Sequence, residues 1–300
     1  MGGFCTAALF IVIESWLLAV STIKTRGQIL AFYMIALYGA QAFGQLLLTA
    51  SPLKSLIPFI LVSMLASLAV IPLAMTKAVT PECQAPSTLT IKKLYRLSAS
   101  GLLGSFSSGL LLSVVYGLLP LFFAQLHLSV HKIALLMFAV VFGGMCLQYP
   151  IGRLSDEFDR RIMLIIMSLL TATTSLLLLL FVRDTHWAIS LALSFLLGGT
   201  AFTLYPLSIS LASDNVNPND IVAATQSLLL IYSIGATIGP LIATVFMHTI
   251  LYGYGLLTYL LIVPLLLAAF LLWRKSTRPV LPDEYPQAFV SVPQTTPISA

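Results

Sequence analysis

Charge is nearly missing from this chain. Its 300 residues hold 15 Lys or Arg and 10 Asp or Glu, 8% charged against 59% hydrophobic, whereas soluble domains average about 25% charged and about 45 to 50% apolar. That balance excludes water as its main solvent. Cysteine is scarce too: Cys5, Cys83 and Cys146 stand far apart without C-x-x-C spacing, which suggests neither a disulfide framework nor a zinc site. No Walker-type phosphate loop occurs, so ATP-driven work by this chain is not indicated. An intramembrane enzyme needs paired acids, histidines, or a nucleophile with a base at one depth. No such set is found, and His127, His131, His186 and His248 lie near the ends of apolar runs. The chain reads as a non-enzyme with no cofactor or metal. The stretch before Glu14 lacks a basic n-region and a small-residue cleavage site, so it reads as a retained helix rather than a signal peptide.

What fills the chain instead is long apolar runs. A spanning helix needs about 20 such residues, because the hydrocarbon core is about 30 Å thick and each residue rises about 1.5 Å. Nine runs qualify, at 2–20, 29–50, 56–75, 98–123, 133–151, 162–182, 187–213, 221–248 and 251–273. The basic residues are parcelled into the short loops between them, which points to membrane orientation rather than to nucleic acid. Lys24, Arg26, Lys77, Lys92, Lys93, Arg96, Arg153, Arg160, Arg161, Arg274, Lys275 and Arg278 fall on one side, and Lys54, Lys132 and Arg183 on the other. Twelve against three puts the C-terminus in the cytoplasm of a multi-pass inner-membrane protein.

The one long internal polar stretch, 76–97, reads as a cytoplasmic linker. It divides a three-span partial bundle at 1–75 from a six-span bundle at 98–273, followed by a proline-rich, disordered cytoplasmic tail at 274–300. Transporter folds are commonly built from equal halves. Gly2, Gly3 and Gly39 match Gly198, Gly199 and Gly235 at one offset, which sets the first three helices opposite the last three and implies three further helices before Met1.

The string GRLSDEFDRR, Gly152 to Arg161, resembles the loop signature of the major facilitator superfamily, with Glu157 where a basic residue is usual and Asp159 where glycine is usual. In it Gly152 permits a sharp turn, while Arg153, Asp156, Arg160 and Arg161 are candidates for a latch on the cytoplasmic side. The strings IESWL (13–17), RGQILAFYM (26–34), YGLLPLFF (116–123), QYPIGRLSD (148–156), GGTAFTLYPL (198–207) and IYSIGATIGP (231–240) together resemble the YcaD-type branch of that superfamily. The resemblance implies an all-α, major-facilitator-type bundle and a secondary active transporter of a small organic solute, proton-coupled or facilitated, working by alternating access. It implies that this chain lacks the first three helices of a twelve-helix carrier. The alternative is a truncated, non-transporting remnant of such a carrier.

Glu14 is the one carboxylate inside an apolar run, where an acid costs about 2.5 to 3.5 kcal/mol and normally faces protein or water. It is a candidate for proton or cation handling, or for an interfacial pair with Lys24 or Arg26. Gln41, Gln45, Tyr116, Gln148, Tyr205 and Gln226, with Tyr38 and Tyr232, are candidates for a solute pathway, against a plainer role as interhelical hydrogen-bonding groups. Gly235, Gly239 and Pro240 form a G-x-x-x-G-P string that suits close helix packing or a bend. The expected partners are a small solute, protons and the lipid bilayer, with no nucleic acid; the oligomeric state is left open.

Overall fold

A computed structural model of the chain describes residues 9, 13, 26–47, 56–75, 91–181, 187–214, 216, 221–249 and 254–277. Among them every regular element is a helix, the all-α class expected. In chain order these are α1 (Arg26–Leu47), α2 (Ile57–Met75), α3 (Ile91–Gly117), α4 (Leu119–Gln125), α5 (Val130–Glu157), α6 (Arg160–Phe181), α7 (Trp187–Ala201), α8 (Leu204–Ser213), α9 (Ile221–Thr249) and α10 (Gly255–Thr277). Six described stretches are long and apolar enough to cross a membrane: Ile91–Gly117, Val130–Ser155, Arg160–Phe181, Trp187–Ser213, Ala223–His248 and Gly255–Thr277. The shorter Ile57–Pro72 segment of α2 is also apolar.

Three boundaries differ from the sequence reading, each for a local reason. Helix α3 begins at Ile91, inside the stretch assigned to the linker, because Ile91 and Leu94 keep helical spacing among the lysines. A non-helical Ser98 (φ −143°, ψ 71°) then separates this first part from the span proper. The GRLSDEFDRR segment is not an open loop: α5 continues to Glu157, supported by a Ser155 Oγ to Gly152 carbonyl bond of 2.7 Å. Extended Phe158 ends that helix, and the Asp159 carboxylate accepts from the Arg161 N–H at 2.7 Å, opening α6 at once. The unusual aspartate thus supplies the kind of cap that a helix N-terminus favours. The third difference is a break in the seventh expected span, between α7 and α8.

In lipid there is little hydrophobic drive to join helices, so small residues and backbone approach must do it. The helix pairs α3/α9 and α5/α7 each show a reciprocal glycine contact. A methyl group added at Gly109 would meet the Tyr232 carbonyl, and one at Gly235 the Phe106 carbonyl. Likewise Gly143 faces the Phe195 carbonyl and Gly198 the Val140 carbonyl. Helices α6 and α10, α1 and α5, and α3 and α8 pack in the same assembly. Buried hydroxyls close on their own helix, as in Ser168 to Leu164 (2.7 Å), Thr171 to Met167 (2.8 Å) and Ser208 to Leu204 (2.7 Å), which meets the need for internal satisfaction of polar groups in hydrocarbon. Helix α2 instead exposes Phe59, Val62, Met64 and Leu68, a surface suited to lipid.

Candidate functional site

The break between α7 and α8 organises the polar interior. Pro206 lacks an N–H and its ring crowds the carbonyl four residues back, which belongs to Phe202. The helix therefore stops at Ala201 and restarts at Leu204, with the proline in the first turn of α8, where it is tolerated. Thr203 Oγ donates to the Thr200 carbonyl at 2.8 Å across the break. Phe202 at the break is fully buried and holds three helices together. Tyr38 of α1 meets its ring edge-on at 5.1 Å, Tyr116 at the end of α3 does so at 5.3 Å, and Gly144 of α5 makes room for it.

Around that ring the sequence candidates sort themselves. Tyr116 Oη donates to Gln41 Oε1 at 2.6 Å, tying α3 to α1. Tyr38 lies one turn from Gln41 on α1, and Tyr38 and Tyr116 meet the same Phe202 ring. Tyr205, in the first turn of α8, sits against Tyr232 of α9 with ring centroids 4.8 Å apart. Gln148 follows Gly144 by one turn on α5 and so shares the face that meets Phe202; it is buried, and its Oε1 has no hydrogen-bond partner. A buried amide oxygen left unpaired costs about 1 to 3 kcal/mol, so it marks a place where a donor is wanted. Tyr116 is 37% exposed, and Gln41 and Tyr232 are half-buried.

Other candidates fall elsewhere. Gln45 is half-buried one turn beyond Gln41. Gln226 is exposed, and its six-residue separation from Tyr232 turns it about 240° round α9, off the aromatic face. Glu14 lies outside the described residues. Gly235 and Gly239 face α3, where a methyl on Gly239 would come within 2.6 Å of the Leu110 carbonyl, and Pro240 is inside α9.

The charged candidates form a second group at the C-terminal end of α5, starting one turn beyond Gln148. Gly152 is half-buried, Arg153 pairs with Glu157 on the surface at 3.6 Å, and Asp156 lies in the last turn of α5 with its side chain outside the described residues. Arg160 reaches across to the end of α8, donating to Asp214 Oδ1 at 2.8 Å and to the Ser210 carbonyl at 3.1 Å. A cation on a helix C-terminus is also favoured by the dipole. Arg161 contributes its backbone N–H to the Asp159 cap. Asp214 and Phe202 were not among the residues singled out from sequence. For Phe202 a signal existed, the proline four residues later inside an apolar run; for Asp214 there was none.

A family model described as Major Facilitator Superfamily matches residues 101–298. The chain belongs to the Major Facilitator Superfamily. Curated relatives include the protein named "Uncharacterized MFS-type transporter YcaD" of Escherichia fergusonii, 33% identical over 244 residues, covering 80% of this chain and 62% of the relative. Proteins of the same name from Salmonella dublin and Salmonella enteritidis are 32% identical over 252 residues, covering 83% of this chain and 64% of each relative. The chain thus spans less than two thirds of the length of these relatives. Superfamily membership, with six described stretches able to cross a membrane, places it among multi-pass membrane proteins.

Proposed function

We propose that this chain carries a small organic solute across the membrane by alternating access, and that the solute meets it at the α7–α8 break. The observation that carries this reading is the discontinuous helix at Phe202 with Tyr116, Gln41 and Gln148 gathered round it. Broken helices form the binding sites of many secondary transporters, because the break frees polar groups at membrane depth. Tyr205 and Tyr232 extend the wall, and Gln45 adds an amide along α1; Gln226, exposed on α9, is the weakest of the proposed pathway residues. Glu14, the acid inside an apolar run, takes the coupling proton. At the basic end, Gly152, Arg153, Asp156, Arg160 and Arg161 control exchange between conformations rather than binding solute, and Gly235, Gly239 and Pro240 give α9 its close, bendable packing.

The proposed organisation is a partial bundle at 1–75, a linker at 76–97, a six-helix bundle at 98–273 and a tail at 274–300. The asymmetry of basic residues supports an inner-membrane location with the C-terminus in the cytoplasm. The test is uptake by proteoliposomes holding the purified chain, using radiolabelled sugars, nucleosides and amino acids with and without an inward proton gradient. Uptake of one class that saturates, and that loses its gradient dependence in Glu14→Gln, is expected. No uptake of any probe above empty liposomes would favour the non-transporting reading, and uptake unaffected by Glu14→Gln would remove that residue from the proton path.

A further inference from the structure

On the reading of the α7–α8 break as the place where solute meets the chain, we infer that the solute is uncharged, carries an apolar ring and an N–H or O–H donor, and donates to Gln148. Gln148 is only 7% exposed, and its Oε1 has no hydrogen-bond partner. Side chains on a helix tilt toward its N-terminus, so that of Gln148 points back along α5 toward Gly144, the glycine that leaves Phe202 its room. The acceptor is thus held at the level of the break. A donor on the solute supplies what the folded chain does not.

No counter-charge accompanies that acceptor. Residues 27–47 of α1, 97–117 of α3, 133–152 of α5, 187–213 across α7 and α8, and 221–247 of α9 contain no Asp, Glu, Lys or Arg. The nearest charged residue along α5 is Arg153, about 7.5 Å further on and turned about 140° round the helix, where it pairs with Glu157 on the surface. An ion brought to the break would leave water for walls that offer no opposite charge, a penalty that a neutral solute escapes. Those walls do offer rings: Tyr38 and Tyr116 meet Phe202, and Tyr205 meets Tyr232. Such surroundings suit a flat apolar group with one well-placed polar contact. Gln148 is covered in the conformation described, and the opening that alternating access requires uncovers it.

The test is binding to the purified full chain in detergent, titrated by saturation-transfer NMR, with probes that share one ring. Benzamide is neutral with N–H donors, N,N-dimethylbenzamide is neutral without them, benzoate is an anion and benzylammonium a cation. Benzamide should bind, and each of the others should bind more weakly by roughly two- to tenfold or more, the first factor being that of one hydrogen bond. Gln148→Met, similar in size but without the acceptor, should weaken benzamide by the same factor, leave dimethylbenzamide unchanged and raise the unfolding temperature, because the unpaired oxygen is gone. Gln148→Asn keeps an acceptor and should retain part of the preference. A lower unfolding temperature in Gln148→Met would show that the amide is satisfied within the chain and overturn the proposal. So would equal binding of benzamide and its dimethyl analogue, tighter binding of either ion, or no binding of benzamide. If Gln148→Met fails to fold, the comparison of probes on the unaltered chain decides. Binding needs no flux, so benzamide that binds as expected but is not carried would count against the carrier and leave the chemistry of the site standing.

Discussion

Replacing Gly198 by alanine should push α5 and α7 apart. The added methyl would meet three backbone atoms of Val140, its carbonyl oxygen, its carbonyl carbon at 2.5 Å and its Cα at 2.8 Å. Ordinary contact begins near 3.4 Å, so the helices must separate by roughly 1 Å, and none of the obstructing atoms can rotate away as a side chain would. Overpacking of this kind costs about 1 to 3 kcal/mol, while alanine regains about 1 kcal/mol of helix propensity over glycine. The net expectation is a loss of up to about 2 kcal/mol, measured as thermal unfolding of the purified chain in detergent. Gly44→Ala is the control, because nothing lies within 4 Å of its added methyl; it should be neutral or stabilising by up to about 1 kcal/mol. Because Gly143 makes the reciprocal contact with Phe195, Gly143→Ala should cost a similar amount and the double variant less than the sum, since neighbours at one interface couple. If Gly198→Ala proves as mild as Gly44→Ala, the close α5/α7 packing described above is wrong.

Three further outcomes are expected. Arg160→Gln and Asp214→Asn should show a coupling of about 0.5 to 1 kcal/mol in a double-mutant cycle of unfolding, modest because Asp214 is half exposed; a coupling of zero would separate the α6 start from the α8 end. His127 has φ 58° between α4 and α5, a conformation costing a non-glycine residue about 1 to 2 kcal/mol, so His127→Gly should raise the unfolding temperature, and a fall would show that the imidazole holds that turn. Tyr116→Phe keeps the ring on Phe202 but deletes the bond to Gln41, so it should cost about 1 kcal/mol of stability and reduce uptake far more than it reduces folded yield; unchanged uptake would take the phenol out of the solute path.

The spans were legible because hydropathy over about 20 residues is a strong signal: the run 187–213 coincides with a membrane-capable stretch at both ends. Its interruption was not read, although Pro206 was its signal, because Gly198 to Leu207 carries no charge and the break depends on Pro206 acting on Phe202. The helical start at Ile91 and the kink at Ser98 were hidden because Lys92, Lys93 and Arg96 interrupt the apolar pattern there. Among the polar candidates, Gln148 and Gln226 have the same side chain and both lie in apolar runs, yet one is buried and the other exposed. Lipid and protein interior are equally apolar, so the pattern that separates inside from outside in a soluble helix is weak here. The Arg160–Asp214 pair spans 54 residues and exists only once α6 and α8 are packed.

The central claim, that the surroundings of Phe202 open alternately to the two sides, is tested most directly by thiol access. In a chain whose Cys5, Cys83 and Cys146 are replaced by alanine, Gln148→Cys would be exposed to a membrane-impermeant maleimide from either face of oriented membrane vesicles. Alternating access predicts modification from both faces, with pre-treatment from one side blocking the other. Modification from one face only, or from neither while a lipid-soluble maleimide reacts, would contradict it.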